Sequence, residues 1–152
     1  MLKINRQTDY AVRVVLALAQ RGEGVRVSSA ELQREMLIPK TFMGRIVAQL
    51  AQAGLVLTFP GRDGGLQIAR DPQNITLKDV VEAFEGPILI SECIISQGDT
   101  DCPFIHSCPV SSKWGRVQAA MLREMKSIIF SDMVKESLNS PVAPEFQVPT
   151  TG

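Results

Sequence analysis

A predicted β-hairpin follows three predicted helices in the first half of this 152-residue sequence. The hairpin consists of two short apolar segments, LVLTF (55–59) and LQIAR (66–70), on either side of the glycine-rich turn PGRDGG (60–65). The helices are predicted over TDYAVRVVLALAQR (8–21), SSAELQREM (28–36) and KTFMGRIVAQLAQA (40–53). A helix, a helix–turn–helix and a hairpin in this order predict a winged helix–turn–helix, which is a mostly α-helical fold with a small β wing.

The ends of these three helices carry residues that commonly cap helices. Thr8 is the expected N-cap of the first helix. Ser28 and Glu31 have the spacing of a capping box at the start of the second. Pro39 suits the first position of the third helix, and Gly54 suits its end.

Two more helices are predicted after the hairpin. Thr76 and Asp79 begin the first of them, TLKDVVEAFEG (76–86), and a long helix extends from about Ser111 to Ser137. An apolar stripe runs along the long helix and contains Trp114, Val117, Met121, Met125 and Ile128. A helix of this length cannot bury its stripe within so small a domain, so we expect it to pack against the same helix of a second copy in a twofold homodimer. The alternative is that it folds back onto its own domain.

Charge is divided unevenly between the two halves of the chain, although the net charge is zero. Residues 1–70 contain ten Lys and Arg against five Asp and Glu, whereas residues 71–152 contain six against eleven. A basic half that faces phosphates and an acidic half that faces away would explain this division. Chance clustering is the alternative explanation.

The second helix of a helix–turn–helix enters the major groove of DNA and reads base edges with its outer face. The outer face of the predicted readout helix contains Lys40, Thr41, Gly44, Arg45, Ala48, Gln49 and Gln52. Arg45 can pair with guanine and Gln49 with adenine through two hydrogen bonds each, and Thr41 can reach a base or a phosphate. As an alternative, Arg45 is an ordinary solvated surface residue.

Other predicted DNA contacts lie beside the readout helix. Ser28 and Ser29 are at a helix amino terminus, which favours phosphate binding, although Ser28 can equally be only a cap. In the wing, glycines such as Gly64 allow the backbone to approach DNA closely, and Arg62 is placed to enter the minor groove.

All three cysteines fall within sixteen residues, CIISQGDTDCPFIHSC (93–108). Thiolates are suitable ligands for iron–sulfur clusters or zinc, but this C-x8-C-x5-C spacing lacks the C-x2-C pairs of typical zinc sites. A disulfide and three buried structural thiols are the alternatives, and both fit poorly with so polar a segment. Three thiolates leave a four-ligand cluster one ligand short.

Several motifs together resemble the Rrf2 family, the bacterial regulators that include the IscR and NsrR types. They are TDYAVR, LAQAGLV, PGRDGGLQIAR, ITLKDVVEAFEG and the three cysteines. The resemblance covers about residues 1–137 and implies a homodimeric transcription factor that binds an imperfect DNA palindrome. It also implies one [2Fe-2S] or [4Fe-4S] cluster per subunit, whose state alters DNA affinity in response to iron–sulfur supply, nitric oxide or redox conditions.

The resemblance implies the cluster ligands Cys93, Cys102 and Cys108, but it leaves the fourth ligand open. The IscR type has a histidine three residues after its last cysteine, and Ser111 occupies that position here. The NsrR type uses an aspartate from the first helix of the other subunit, which Asp9 matches. Asp9 of the partner subunit is therefore the expected fourth ligand, although a first-turn aspartate also suits the helix dipole without any ligand role.

Two smaller departures from the family pattern concern a histidine and the wing. His106, the only histidine, is expected to have no ligand role. Pro60 stands where the family tends to have a basic residue just before the first wing glycine, and Arg62 follows that glycine, so minor-groove reading is expected to be shifted or weaker.

The sequence therefore divides into four expected parts. They are a winged helix–turn–helix DNA-binding domain (1–86), a cluster-binding cysteine loop (87–110), a dimerisation helix (111–138) and a disordered tail (139–152). The amino terminus lacks a signal-peptide layout and no apolar run approaches the about 20 residues of a membrane span, so we expect a cytoplasmic protein.

Two other functions remain open from the sequence. One is a cluster-free regulator of the same fold that senses a partner protein or a metabolite. The other is a small thiol or iron–sulfur redox enzyme, but the sequence has no C-x-x-C, phosphate-binding glycine loop or nucleophile–base pair, so no enzyme is expected. Zinc bound by His106 and the cysteines would require awkward spacing.

Overall fold

The computed structural model describes residues 3–62, 64–95 and 101–139. Its elements are, in order, α1 (Arg6–Arg21), α2 (Ser29–Glu35), α3 (Lys40–Gln52), β1 (Val56–Phe59), β2 (Gly65–Ile68), a 3-10 turn (Pro72–Asn74), α4 (Leu77–Glu85), α5 (Glu92–Ile95), α6 (Ser111–Ser127) and α7 (Phe130–Asn139). The predicted fold class, mostly α-helical with a small β wing, is confirmed. The predicted disordered tail lies almost entirely outside the described residues.

Helix α1 begins two residues earlier than its sequence predicts. Its N-cap is Asn5, whose Oδ1 accepts a hydrogen bond from the backbone N–H of Thr8 at 2.9 Å. The expectation that Thr8 is the N-cap is therefore wrong. Thr8 is instead fully buried, and its hydroxyl donates to the carboxylate of Glu85 in α4.

The helix–turn–helix is formed by α2 and α3. Ser28 caps α2 as predicted, with its Oγ accepting from the backbone N–H of Glu31 at 3.1 Å. The Glu31 carboxylate does not complete a capping box, because it pairs with Arg21 at the end of α1, as Glu35 also does. The hydrogen bond to Glu35 raises the pKa of Arg21 above its usual value, against the opposing effect of burial.

The start and end of α3 agree closely with the sequence signals. Pro39 immediately precedes Lys40, the first residue of the helix, so it is the cap residue and not the first helical position. Gly54 follows the helix with a φ of 70°, a left-handed conformation that glycine adopts without strain.

The wing is a two-stranded antiparallel sheet that is anchored to the segment before α2. Strands β1 and β2 pair in register from Val56 opposite Ile68 to Phe59 opposite Gly65. Val27 forms an isolated antiparallel bridge with Leu66, with N···O distances of 2.8 and 2.7 Å. A Cβ atom at Gly65 would lie 2.7 Å from the Val27 carbonyl oxygen, so this close approach requires glycine. The anchoring fixes the wing beside the helix–turn–helix.

One hydrophobic core connects the helices and the wing. Its fully buried members come from α1, α2, α3, β1, β2, α4 and α7, and they include Val14, Leu18, Leu32, Ile46, Leu50, Val56, Leu66, Val80 and Phe130. The participation of α7 shows that the end of the described chain belongs to the winged domain.

The predicted continuous helix over 111–138 is instead two helices, and this corrects the expected boundary of the dimerisation helix. Ile128 ends α6 in an extended conformation (φ −82°, ψ 103°), and Ile129 forms a bridge with Thr76. The side chain of Phe130, the first residue of α7, is fully buried in the core. The chain thus turns at 128–129 because a short backbone pairing and an aromatic anchor replace helical hydrogen bonds.

The apolar stripe of α6 is divided between the subunit and solvent. Trp114 and Val117, in the first half, are 45% and 50% exposed. Met121 and Met125, in the second half, line a cleft together with Val81 of α4. The folding-back alternative therefore describes the second half of the stripe, while the first half remains available to another copy.

Within the described ranges, none of the helices combines the length and the apolar character that crossing a bilayer requires.

Candidate nucleic-acid interface and cysteine segment

Helix α3 has one buried and one exposed face. Met43, Ile46 and Leu50 are buried in the core. The exposed side chains on the other face are those of Lys40, Thr41, Arg45, Ala48 and Gln52, and Gly44 is exposed with them. This face presents two cations and a hydroxyl to solvent, which is the composition that groove reading and phosphate binding require.

Gln49 does not belong to this exposed face. Its Nε2 donates to the backbone carbonyl of Ala83 in α4 at 2.9 Å, and its Oε1 accepts from Nε2 of Gln7 in α1 at 3.1 Å. Both hydrogen bonds would have to break before Gln49 read adenine. The expected reading of adenine by Gln49 therefore lacks a geometric basis, and we leave this residue out of the candidate interface.

Ser28 and Ser29 lie at the amino terminus of α2, and both are exposed. The Ser28 hydroxyl already accepts from Glu31, so capping is its established role in the subunit. The Ser29 side chain is exposed beside it, at the same end of α2.

The tip of the wing has a tight turn that brings an arginine to the surface. Arg62 is exposed, and Gly61 beside it has a φ of 95°. A Cβ atom at Gly64 would lie 2.2 Å from the Phe59 carbonyl oxygen, so only glycine fits. Gly64 therefore closes the turn that displays Arg62.

Arg26 is a basic residue beside the wing that was not among the residues predicted from the sequence. Its guanidinium lies 3.7 Å from the centre of the Phe59 ring, within the range of a cation–π contact. Arg26 is exposed and precedes Val27, which pairs with the wing strand. The position of Arg26 in the basic half of the sequence could have indicated a role in DNA binding. Its contact with Phe59 could not have been predicted, because it depends on a strand pairing that the sequence does not specify.

The three cysteines lie along the segment between α4 and α6, which also includes α5. All three side chains are half-buried, with Cys93 in α5 and Cys108 three residues before the start of α6. The hydroxyl of Ser91 lies 2.8 Å from Sγ of Cys93.

The backbone between Cys102 and α6 folds through consecutive turns. The N–H of Ile105 donates to the carbonyl of Cys102 at 3.2 Å, and the N–H of Ser107 donates to the carbonyl of Phe104 at 2.9 Å. The hydroxyl of Ser111 donates to the carbonyl of Cys108 at 3.1 Å. Cys108 therefore lies beside the amino terminus of α6.

Across residues 3–62, 64–95 and 101–139 of one subunit, the structure has no group of three or more His, Cys, Asp or Glu side chains arranged to hold a metal ion. Asp9, the expected fourth ligand, forms an ion pair with Arg13 at 2.6 Å and is about half exposed. It lines a cleft formed with α4 and Met125. His106 is exposed on the segment before Cys108. The ligand set therefore remains a prediction.

Comparisons with known proteins agree with this arrangement of elements. "Protein aau3" of Rhizobium meliloti (strain 1021) is 31% identical over 152 residues, which cover 95% of this chain and 97% of that protein. The solved structure of T. potens IscR superposes with a TM-score of 0.72 at 24% identity, covering 94% of this chain and 93% of that one. CymR (YrzC), the global cysteine regulator of B. subtilis, gives a TM-score of 0.71 at 22% identity, covering 90% and 98%.

The sequence model of one protein family matches nearly the whole described chain. It is the Rrf2 family, described as iron-dependent transcriptional regulators, and the match extends over residues 4–136. Members of this family are transcriptional regulators that bind DNA, are typically dimeric, and are not enzymes. The chain therefore belongs to the Rrf2 family of transcriptional regulators.

Proposed function

We propose that this regulator binds an imperfect palindrome as a homodimer, and that an iron–sulfur cluster in each subunit changes its affinity for that operator. The observation that carries the proposal is the position of three cysteines on the segment between the winged domain and α6. A ligand bound there contacts the connection between the DNA-binding part and the helix proposed to hold the two subunits together.

The proposed DNA-binding surface consists of the exposed face of α3, the start of α2 and the wing. Lys40 and Ser29 contact phosphates, Arg45 and Thr41 read base edges, and Arg62 enters the minor groove beside the turn closed by Gly64. Ser28 supports this surface as the cap of α2. Arg26 is added to the sequence-based set, since it projects next to the wing.

The proposed dimer contact is the first half of α6. Trp114 and Val117 leave large apolar surfaces in water in the single subunit, and Ala120, three residues after Val117, is also exposed. Small and apolar side chains on one exposed helix face allow a second helix to approach closely. A twofold axis through this face would relate the two α3 helices, which must be about 34 Å apart to reach successive major grooves.

The donor chemistry of the cysteine segment fits an iron–sulfur cluster. Cys93, Cys102 and Cys108 would supply three thiolates, and Asp9 of the partner subunit would supply an oxygen ligand. When bound, such a cluster provides a centre that is sensitive to redox conditions, nitric oxide and iron–sulfur supply. The residues of the chain would transmit this state, because the cysteine segment continues directly into α6 and Asp9 lies on the first turn of α1.

The second candidate is a cluster-free regulator of the same fold that senses a partner protein or a metabolite. It is favoured by the Asp9–Arg13 ion pair, which occupies the expected fourth ligand. It is favoured too by the cleft of about 390 Å³ between α4, residues 87–89 and α6, which Ile4, Val81 and Met121 line in part. CymR, which is described as a cysteine regulator, shares the fold.

One experiment separates the two candidates. The protein is purified without oxygen, and its iron, sulfide and visible spectrum are measured before and after reconstitution with iron and sulfide. Operator DNA is obtained by selection from random duplexes, and affinity is measured by fluorescence anisotropy for loaded and stripped protein. The cluster proposal expects iron and sulfide in the wild type, none in the triple Cys→Ser variant, and a difference in affinity only in the wild type. A colourless wild-type protein that gains no iron on reconstitution supports the cluster-free candidate.

A further inference from the structure

The side-chain amide of Gln49 connects the proposed readout helix to two other helices. Its Nε2 donates to the carbonyl of Ala83 in the last turn of α4, at 2.9 Å. Its Oε1 accepts from Nε2 of Gln7 in the first turn of α1, at 3.1 Å. Gln49 is half-buried, so these bonds are partly protected from competing water. The donor and acceptor of one amide thus hold α3 against α4 and α1 at once.

The same last turn of α4 is also bonded to the start of α1. Oε1 of Glu85 accepts from the hydroxyl of Thr8 at 2.5 Å and from the backbone N–H of Asn5 at 3.1 Å. Thr8 is fully buried, and the next residue is Asp9, the proposed ligand to the partner's cluster. The Thr8–Glu85 hydrogen bond therefore links the residue next to Asp9 to the last turn of α4.

The cysteine segment reaches this turn of α4 from the other direction. Helix α4 ends at Glu85 and is capped by Gly86, and residues 87–90 lead towards Cys93. This connection is clamped by Gln118 of α6, which is only 6% exposed. Its Oε1 accepts from the N–H of Ile90 at 3.0 Å, and its Nε2 donates to the carbonyl of Ile88. The path from Cys93 to the end of α4 is thus short and held to α6 by hydrogen bonds.

From these contacts we infer that Gln49 is a positioning residue, which transmits the state of the cysteine segment to the readout helix through the last turn of α4. The inference rests on the proposed function, because it assumes that operator affinity depends on this segment. Both proposed ligand sources, the cysteines of one subunit and Asp9 for the other, converge on residues 83–86. Gln49 is the side chain that connects this turn to α3 through hydrogen bonds.

The path also explains why a glutamine occupies this flank of α3. A residue at this position that contacted DNA would need a free amide, whereas Gln49 uses its donor and its acceptor within the subunit. A purely apolar contact would tolerate sliding of α3 along α4. Two directional hydrogen bonds instead fix the helix at one position, so that a shift of α4 moves α3 with it.

The test compares Gln49→Met with Gln20→Met. Methionine keeps the length and helix propensity of glutamine but removes both hydrogen bonds of Gln49. Gln20 of α1 donates to the Ser137 hydroxyl of α7 at 3.0 Å, away from the proposed DNA-binding surface and from the last turn of α4, so its variant is the matched control. For each protein, anisotropy gives the operator dissociation constant of the cluster-loaded and the stripped form, and the ratio of the two constants measures the coupling.

The inference expects a wild-type ratio within the ordinary range of about 5- to 150-fold. It expects a ratio below about 2-fold for Gln49→Met and an unchanged ratio for Gln20→Met, with iron and sulfide contents equal in all three proteins. A Gln49→Met ratio equal to that of the wild type overturns the inference while leaving the proposed function intact. A wild-type ratio of one removes the proposed function, and the inference with it.

A second measurement on the wild type does not depend on how the variant folds. Amide hydrogen exchange is compared between loaded and stripped protein. The inference expects protection to change in residues 83–86 and in α3 together. A change confined to the cysteine segment and α6 overturns it.

Discussion

The backbone N–H of Phe130 donates to the carbonyl of Ile75 at 2.9 Å, and this bond joins the end of the described chain to the start of α4. The N–H of Leu77 donates in return to the carbonyl of Ile128 at 2.8 Å, on either side of the Thr76–Ile129 bridge. The pairing interrupts what would otherwise be one long helix and directs the Phe130 side chain into the core. Helix α7 is therefore part of the winged domain, and α6 is the part that we propose meets a second copy.

We expect Phe130→Ala to destabilise the winged domain strongly. Phe130 is fully buried against several elements, and truncating such a residue costs about 3–5 kcal/mol. The free energy of unfolding, from chemical denaturation followed by circular dichroism, measures this loss. Phe104→Ala is the control, because Phe104 is 66% exposed and its truncation should change the stability of the subunit by less than about 0.5 kcal/mol. Equal losses for the two variants would contradict the anchoring role of Phe130.

The order of the elements was predictable from the sequence, whereas the break at 128–129 was not. Ser28, Thr76 and Gly54 act within a few residues of their own helix ends, so local spacing predicted those ends correctly. The apolar stripe continues through Ile128 with a helical period, and only the pairing with Thr76, about fifty residues earlier, interrupts it. A distant backbone partner leaves no mark in the local pattern.

Distant contacts also explain which of the candidate site residues were predicted correctly from the sequence. Arg45 and Gln49 both follow the helical period of α3, but the sequence does not reveal that Ala83 and Gln7 lie within reach of Gln49. Thr8 is a residue type that commonly caps helices, but Asn5 is the N-cap of α1. The Thr8 hydroxyl instead binds Glu85, which also accepts from the backbone N–H of Asn5. The residue type therefore predicted which functional groups are present, whereas tertiary contacts determined whether each side chain faces solvent.

We expect Gly64→Ala and Gly44→Ala to have opposite effects on stability. A Cβ atom at Gly64 would meet the Phe59 carbonyl oxygen at 2.2 Å, so the wing turn must open at a cost of more than about 1 kcal/mol. Nothing lies within 4 Å of a Cβ at Gly44 in the middle of α3, so alanine should add about 0.5–1 kcal/mol by favouring the helix. Thermal unfolding at one protein concentration measures both changes.

The two glycine variants also report on DNA binding. Gly44 lies on the exposed face of α3, and the added methyl group should weaken operator binding if the DNA approaches the backbone there. An increase in stability together with an unchanged dissociation constant would place the DNA elsewhere on the surface.

We expect Arg45→Ala and Lys40→Ala to weaken DNA binding in different ways. Loss of a bidentate contact from Arg45 to guanine should cost about 1–3 kcal/mol on the preferred sequence and relax selectivity at one base pair. The Lys40→Ala protein should bind all DNA sequences more weakly. The slope of log affinity against log salt concentration should be smaller in magnitude by about 0.9 for each phosphate that is no longer neutralised. Anisotropy titrations at several salt concentrations, with specific and random duplexes, distinguish the two. Identical behaviour of both variants on random DNA would remove the assignment of Arg45 to base reading.

We expect Val117→Glu to disrupt the dimer without unfolding the subunit. Val117 is half exposed on α6, so a charged side chain is tolerated in the single subunit, but it would be desolvated against a second copy. Light scattering after size-exclusion chromatography measures the mass as a function of concentration. Leu138→Glu is the control, since Leu138 is 79% exposed near the end of α7 and should leave the mass unchanged. A Val117→Glu protein with the mass of the wild type would exclude this part of α6 from the interface.

The last prediction separates the two roles considered for Asp9. As a first-turn carboxylate paired with Arg13, Asp9 contributes at most about 1 kcal/mol, because the pair is exposed on both sides. As the oxygen ligand to the partner's cluster, it would instead control how firmly the cluster is held. Asp9→Ala should therefore change the unfolding free energy of stripped protein only slightly, but should make the loaded protein lose iron faster. The decay of the visible absorbance under a chelator, without oxygen, measures that rate.

Arg13→Met is the matched control for Asp9→Ala. It removes the same ion pair at 2.6 Å but leaves the carboxylate in place, so a purely electrostatic role for Asp9 predicts equal effects from the two variants. A ligand role predicts that Arg13→Met retains the wild-type rate of iron loss, because Asp9 is then freed from its partner and remains available. If both variants lose iron at the wild-type rate, the fourth ligand lies elsewhere, and the exposed His106 becomes the next residue to replace.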